Sequence, residues 1–212
     1  TWPKASEIIQ YSMLKPLPPA AEGKALTTSH FFHAVAKFLP KGGLVVSDAG
    51  VAFFGSSEML LPSGTNFMSQ VYYVSIGYTL PAAFGAAIAS PNRKVVLVIG
   101  DGASQMTIQE ISSMIRCHCN ITVIVINNDG YTVERLIHEG PFNNIQMWRY
   151  SKLPETFGSD NPGLLVKTET ELEQALTVAS KPGFSLIEVV LPMMDVPASL
   201  QLAAESMKHV TK

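Results

Sequence analysis

Two runs of this chain leave little freedom in how it can fold. Residues 94–99 carry one charge, on Lys94, and then only Val, Leu and Ile; residues 121–126, "ITVIVI", carry none. A strand with one wet face alternates apolar and polar residues, so uninterrupted β-branched runs predict strands buried on both faces. Covering both faces takes helices above and below, and parallel strands need helical crossovers. The remaining pattern supplies them. Thr27, Thr28 or Ser29 can cap a helix through "HFFHAVAKFL". "GGLVVSDAG" predicts a strand ending at Ser47, and "YTLPAAFGAAIAS" a helix with Pro81 near its start. Thr107-Ile108-Gln109-Glu110 fits a capping box that opens a helix to about Ile115. "GYTVERLIH" begins a further helix, "TELEQALTVAS" is helical, and "FSLIEVVL" is a last core strand. The expected class is α/β, a parallel sheet with helices on both faces.

With 212 residues the chain can bury a sizeable core. Charged residues make up 15% and apolar ones 47%, thin charge coverage that predicts a surface partly covered by another chain or domain. A net charge of −2 offers no basic field for nucleic acid. Two cysteines, Cys117 and Cys119, make no disulfide framework and point to a reducing, cytoplasmic setting. Spacing around Cys117-His118-Cys119 lacks the second ligand pair of a zinc site. His30 and His33 fall on a predicted helix and read as packing or surface residues. The stretch 71–91 is nearly uncharged but holds two prolines, and reads as a buried strand, turn and helix rather than a membrane span. Residues 1–25, with "KPLPPAAEGK", read as a linker from a preceding domain; 26–205 form the main domain and 206–212 a tail. The chain begins at Thr1, so upstream sequence is expected.

Chemistry concentrates at two strand ends. The first central strand stops on Gly100-Asp101-Gly102 and the second on Asn127-Asn128-Asp129-Gly130. In an open parallel sheet ligands bind beyond the carboxyl ends of strands. If the two strands are neighbours, an Asp101 carboxylate oxygen, the Asn128 amide oxygen and the Gly130 carbonyl can converge. That set is hard and oxygen-only, and suits Mg²⁺, which also takes oxygens from phosphates. N–H groups after Gly102 and Gly130 favour a diphosphate at the same place. Either motif alone is far more often an ordinary turn; the pair at successive strand ends is the stronger signal. A dinucleotide site fits poorly, because the third glycine of G-x-G-x-x-G falls on Gln105 and an aspartate inside the turn repels a pyrophosphate without a metal.

Gly-Asp-Gly, then 24 residues, then Asn-Asn resembles the thiamine-diphosphate-binding motif. "NNDGYTVERLIHEG", "NNIQMWRYSKLPETFG", "VSIGYTLPAAFGAAIA" and "IEVVLPMMDVPASL" are similar to pyruvate and indolepyruvate decarboxylases, a likeness that covers residues 26–205. It implies the diphosphate-binding domain of a thiamine-diphosphate-dependent 2-oxo acid decarboxylase. Mg²⁺ ligands would be Asp101, Asn128 and Gly130. Gly102, Ala103, Ser104, Tyr131 and Thr132 would bind diphosphate, with Val133 beside them. Gly50, Val51, Val74 and Ser75 would lie along the cofactor, and Ile76 would prop its bent conformation. Glu134 would be the catalytic acid, raised toward neutral pH by an apolar wall of Val133 and Ile137; the alternative is a surface carboxylate paired with Arg135.

Three positions depart from the family pattern. Val51 stands where threonine is common, Val74 where glycine is common and Ala103 where serine is common. The resemblance further implies that the glutamate acting on the aminopyrimidine comes from a separate pyrimidine-binding domain, on a missing N-terminal portion or on another chain. The expected activity is therefore non-oxidative decarboxylation of a pyruvate-like or indolepyruvate-like 2-oxo acid to an aldehyde, in a homo- or hetero-oligomer, with this chain alone inactive. A carboligase of the same cofactor family and a degenerate assembly domain are the other readings.

Overall fold

The computed structural model describes residues 18–210. The linker expected over 1–25 thus lies outside the described residues for 1–17, and the tail for 211–212. Six parallel strands make one sheet in the order β2-β1-β3-β4-β6-β5. They are β1 (Leu44–Ser47), β2 (Asn66–Met68), β3 (Val95–Gly100), β4 (Ile121–Asn127), β5 (Leu164–Val166) and β6 (Ser185–Val190). The helices are α1 (Thr28–Phe38), α2 (Val51–Ser57), α3 (Thr79–Ala89), α4 (Asp101–Ser104), α5 (Glu110–Arg116), α6 (Thr132–Ile137), α7 (Leu153–Thr156), α8 (Glu169–Ala179) and α9 (Ala198–Val210). Strands β2 and β5 have three residues each, too short to show a period, and the sequence pattern does not mark them.

Strand alternation divides the interior into two layers. On one face Val45, Val96, Val98, Ile124, Ile126, Ile187 and Val189 pack under Phe31, Phe32 and Val35 of α1, Val51 and Ala52 of α2, Leu172 and Leu176 of α8, and Leu200 of α9. On the other, Val46, Leu97, Ile99, Val123 and Val125 meet Leu80 and Ala83 of α3, Ile111 and Met114 of α5, and Tyr150. Residues 95–99 and 121–126 are buried throughout, as uninterrupted apolar runs require. Thr27 caps α1 by accepting from the His30 N–H at 3.2 Å. A capping box opens α8: Thr168 Oγ1 accepts from Glu171 N–H, and Glu171 Oε2 from Thr168 N–H.

Two local expectations fail. The capping box at Thr107 does not form; α5 begins at Glu110 without a side-chain cap. The Thr107 hydroxyl donates instead to the Gly77 carbonyl at 2.7 Å, a longer-range partner that wins over the helix end. Residues 71–76 are not a buried strand but an exposed loop, with Tyr72 at 84% and Tyr73 at 77% exposure. The inner positions of the sheet are already filled, and the edge strand is made upstream by β2 against β1.

The chain order places the ligand crevice. Strand β1 is followed in sequence by its neighbour on one side, β2, while its neighbour on the other side, β3, leads on to β4. The segment after β1 leaves toward the first layer and that after β3 toward the second, since Val51 belongs to one core and Ala103 to the other. The crevice opens between those carboxyl ends.

Candidate functional site

Register sets the site. Gly100 pairs with Ile126, and Ser47 with Val98, so the segments after β1, β3 and β4 leave the sheet at nearly one level. Between them is a cavity of about 350 Å³, lined by residues 49–51, 73, 74, 76, 100–103, 126, 128 and 130–134.

Asp101 is at its floor, 1% exposed. Its Oδ1 accepts from Gly102 N–H at 2.7 Å, and its Oδ2 from Asn128 N–H at 3.1 Å and Gly130 N–H at 3.0 Å. The aspartate thus stitches the β4 turn onto the β3 turn. Burial pushes its carboxyl up, and the backbone donors oppose that shift. No basic side chain forms an ion pair with it among the described residues. A buried carboxylate without a cation is costly, so the place fits a bound cation. Asn128 Nδ2 donates to Thr132 Oγ1 at 2.9 Å, which turns the amide oxygen away from that hydroxyl; no donor to that oxygen is found among the described residues. Thr132 passes its own proton to the Met193 carbonyl at 2.8 Å. Gly130 has φ +107°, and a Cβ there would lie 2.4 Å from the Asn143 carbonyl oxygen. Only glycine fits. Its carbonyl accepts from Thr132 N–H at 3.1 Å and keeps a second lone pair. Carboxylate, amide and carbonyl oxygens are the donors a hard divalent ion takes.

The buried Arg135 locks this turn. Its Nη2 donates to the carbonyls of Asp129 at 2.9 Å and Asn143 at 3.3 Å and to Asn144 Oδ1 at 2.7 Å; its Nη1 meets Glu139 Oε1 at 3.0 Å. Arg135 therefore has no part in an ion pair with Glu134, and Glu134 forms none among the described residues. Glu134 lines the cavity but is exposed, with Val133 and Ile137 half-buried. The apolar wall expected around it is not found among the described residues: α6 sits on the open rim of the cavity, and Glu134 is exposed there.

Residues 54–189 match the family described as thiamine pyrophosphate enzyme, C-terminal TPP-binding domain. The chain belongs to this family. It is 43% identical over 180 residues to an alpha-keto-acid decarboxylase of Mycobacterium avium, covering 82% of this chain and 32% of that protein. It is 42% identical over 192 residues to an alpha-keto-acid decarboxylase of Mycobacterium tuberculosis strain H37Rv, covering 88% and 34%. The chain thus spans about a third of the length of these relatives. The crystal structure of benzoylformate decarboxylase from Polynucleobacter necessarius superposes with a TM-score of 0.73 at 20% identity, over 86% of this chain and 36% of that one, a likeness of fold.

In this TPP-binding domain every residue expected along the cofactor lines the cavity except Ser75 and Ser104. Ser104 is wholly buried, its hydroxyl donating to the Asp101 carbonyl at 2.7 Å. Ser75 is on the exposed loop. The departures have clear local consequences. Val74 has φ +53°, a strained conformation for a β-branched residue and one that glycine adopts freely. Val51 has its side chain in the first core layer. Among residues that the sequence reading passed over, Ala49, Tyr73, Gly100 and Ile126 line the cavity. Asp48 lies beneath it, fully buried, pushed up by burial and ringed by donors. Its signal was present: like Asp101, it is an aspartate at a strand end.

Proposed function

We propose that this chain supplies the diphosphate-binding half of a thiamine-diphosphate- and Mg²⁺-dependent decarboxylase, releasing CO₂ from a pyruvate-like or indolepyruvate-like 2-oxo acid to leave an aldehyde. The observation that carries the reading is the convergence of Asp101, Asn128 and Gly130 at adjacent strand ends, with Glu134 on the same cavity. When bound, the cofactor supplies the electron sink for carbon–carbon cleavage. The residues here do the holding and the proton work. Asp101, the Asn128 amide oxygen and the Gly130 carbonyl would hold Mg²⁺; Gly102, Ala103, Tyr131 and Thr132 would face the diphosphate, with Ser104 supporting from behind. Gly50, Val51, Val74, Ile76 and Val133 would line the organic part, with Ser75 beside them on the loop. Glu134 would give or take a proton at the reacting carbon.

The domain unit is inferred as 26–205. A pyrimidine-binding domain, on another chain or on a further part of the same polypeptide, would cover the cavity and supply the apolar wall that Glu134 lacks. Exposed Tyr72, Tyr73, Val74 and Ile76 at the mouth support a covered surface, as does the third of the relatives' length that this chain spans. Among the described residues no helix is long and apolar enough to cross a membrane; the proposed cytoplasmic setting rests on the two free cysteines.

The test is Asp101→Asn in the complete protein. The swap keeps the shape of the side chain and removes the anion, and it turns one amide N–H group toward a backbone donor of the turn, so the circular dichroism control is part of the test. Mg²⁺-dependent binding of thiamine diphosphate, measured by calorimetry, is expected to vanish while the far-ultraviolet circular dichroism spectrum stays unchanged. Undiminished binding would overturn the metal assignment.

A further inference from the structure

Thr107 abandons a helix cap to bond Gly77, and Asp48 is a buried anion with no basic partner among the described residues. Both peculiarities meet at one residue, Gly77. The Gly77 N–H points at the Asp48 carboxylate, 3.3 Å from Oδ1 and 3.1 Å from Oδ2. The Gly77 carbonyl accepts from Thr107 Oγ1 at 2.7 Å. Asp48 also accepts from Ala49 N–H at 2.9 Å, Thr79 N–H at 3.4 Å and the Thr79 hydroxyl. Gly77 has φ +79°, and a Cβ would lie 2.6 Å from Met106 Cβ and 2.9 Å from the Ala103 carbonyl oxygen. Its Cα is therefore pressed against the turn that follows β3. One residue is gripped on both sides of its Cα, at its N–H by the end of β1 and at its carbonyl by the segment after α4.

The gripped residue matters because of what precedes it. Tyr73 and Val74 N–H groups bond only the nearby Gln70 side chain, at 2.9 and 3.1 Å. Among the described residues, the hydrogen bonds that tie residues 71–77 to the strand ends are those of Gly77. Ile76, next to it, lines the cavity. We infer that Asp48 and Thr107 are positioning residues of this site: by holding the N–H and the carbonyl of Gly77, on either side of its Cα, they set the height of Ile76 over the cavity. The inference rests on the reading of that cavity as the thiamine diphosphate site. The aspartate suits the task where asparagine would not. Its two oxygens face donors on every side, whereas an amide would turn N–H groups toward N–H groups. A largely buried polar cluster of this kind rigidifies when every member is satisfied.

Thr107 gives the cleaner test, in the complete protein, because its two functions separate. Valine keeps the methyl and loses the hydroxyl; serine keeps the hydroxyl and loses the methyl. Calorimetry with thiamine diphosphate and Mg²⁺ is expected to show binding weakened on the order of tenfold in Thr107→Val, the scale of one lost part-buried hydrogen bond, and restored in Thr107→Ser. Asp48→Asn is expected to weaken binding in the same direction. Amide hydrogen exchange without the cofactor is expected to quicken across residues 71–78 in Thr107→Val and Asp48→Asn, with β3 and β4 unchanged. Wild-type binding and exchange in Thr107→Val would overturn the inference, and so would a Thr107→Ser protein as weak as Thr107→Val, since packing of the methyl would then be the cause. Failure of the unaltered protein to bind thiamine diphosphate would overturn the cofactor reading instead, and the exchange rates of 71–78 would still decide whether the grip exists.

Discussion

Replacing Gly130 by alanine tests whether the turn after β4 is as tightly determined as its geometry says. An alanine Cβ would start 2.4 Å from the Asn143 carbonyl oxygen, where ordinary contact begins at 3.4 Å, so that carbonyl must retreat by about 1 Å. It is not free to do so: it accepts from Tyr131 N–H at 3.0 Å and from Arg135 Nη2 at 3.3 Å. Weakening those bonds costs about 0.5–1.5 kcal/mol for the neutral one and up to about 3 for the charged one. Holding alanine at φ +107° adds about 1–3 kcal/mol. Lower entropy of the unfolded chain returns about 0.4–1 kcal/mol. With the charged bond taken at about 1.5–3 kcal/mol, the net expectation is a loss of about 2–7 kcal/mol, a large share of the ~5–15 kcal/mol typical of a domain. Urea unfolding followed by circular dichroism measures it. Gly85→Ala is the internal control, since Gly85 is exposed inside α3 with nothing within 4 Å of a Cβ; it should stabilise by about 0.5–1 kcal/mol. A Gly130→Ala protein within about 0.5 kcal/mol of the parent, the scatter of ordinary surface substitutions, would refute the reasoning.

Three further outcomes are expected. Glu134→Gln should leave cofactor binding nearly intact and slow turnover of a 2-oxo acid by about 10²-fold or more, in the complete enzyme; undiminished turnover would make Glu134 a plain helix carboxylate. Val74→Gly should relieve about 1–2 kcal/mol of left-handed strain against about 0.5–1 kcal/mol of added chain entropy, so thermal unfolding should shift slightly upward, and a loss above about 1 kcal/mol would contradict the strain. His30 is buried with Nδ1 3.1 Å from Glu169 Oε1 and Nε2 without a partner among the described residues. Burial holds its pKa below 6.5 although Glu169 opposes this, so the unfolded state takes up the proton first: its contribution is present above pH 6.5 and lost as pH falls below that. His30→Gln should flatten stability between about pH 7.5 and 5.5, and equal slopes in the two proteins would exclude the assignment.

How much of this was readable in advance depends on the range of the interaction. Apolar runs at 94–99 and 121–126 specify doubly buried strands by local pattern, and the helices around them carry their own periodicity and caps. The two strand-end motifs were equally legible, since Asp101, Asn128 and Gly130 are adjacent to the strands that carry them. Burial of both strands side by side then brings their ends together as a matter of course. What the tertiary structure alone decided is where polar groups go when several partners compete. Thr107 has a helix end three residues away and still bonds Gly77, thirty residues distant, because the fold brings that carbonyl to it. Arg135 has Glu134 beside it and bonds Asp129, Asn143, Asn144 and Glu139, because adjacent residues of a helix point to different faces and the fold brings those oxygens to the face of Arg135. Residues 71–76 read as a buried strand from their apolar content, yet the sheet has no place left for them. A local pattern records whether a residue is apolar; whether the interior still has room for it is a property of the whole chain, and here the answer left an exposed loop beside the site.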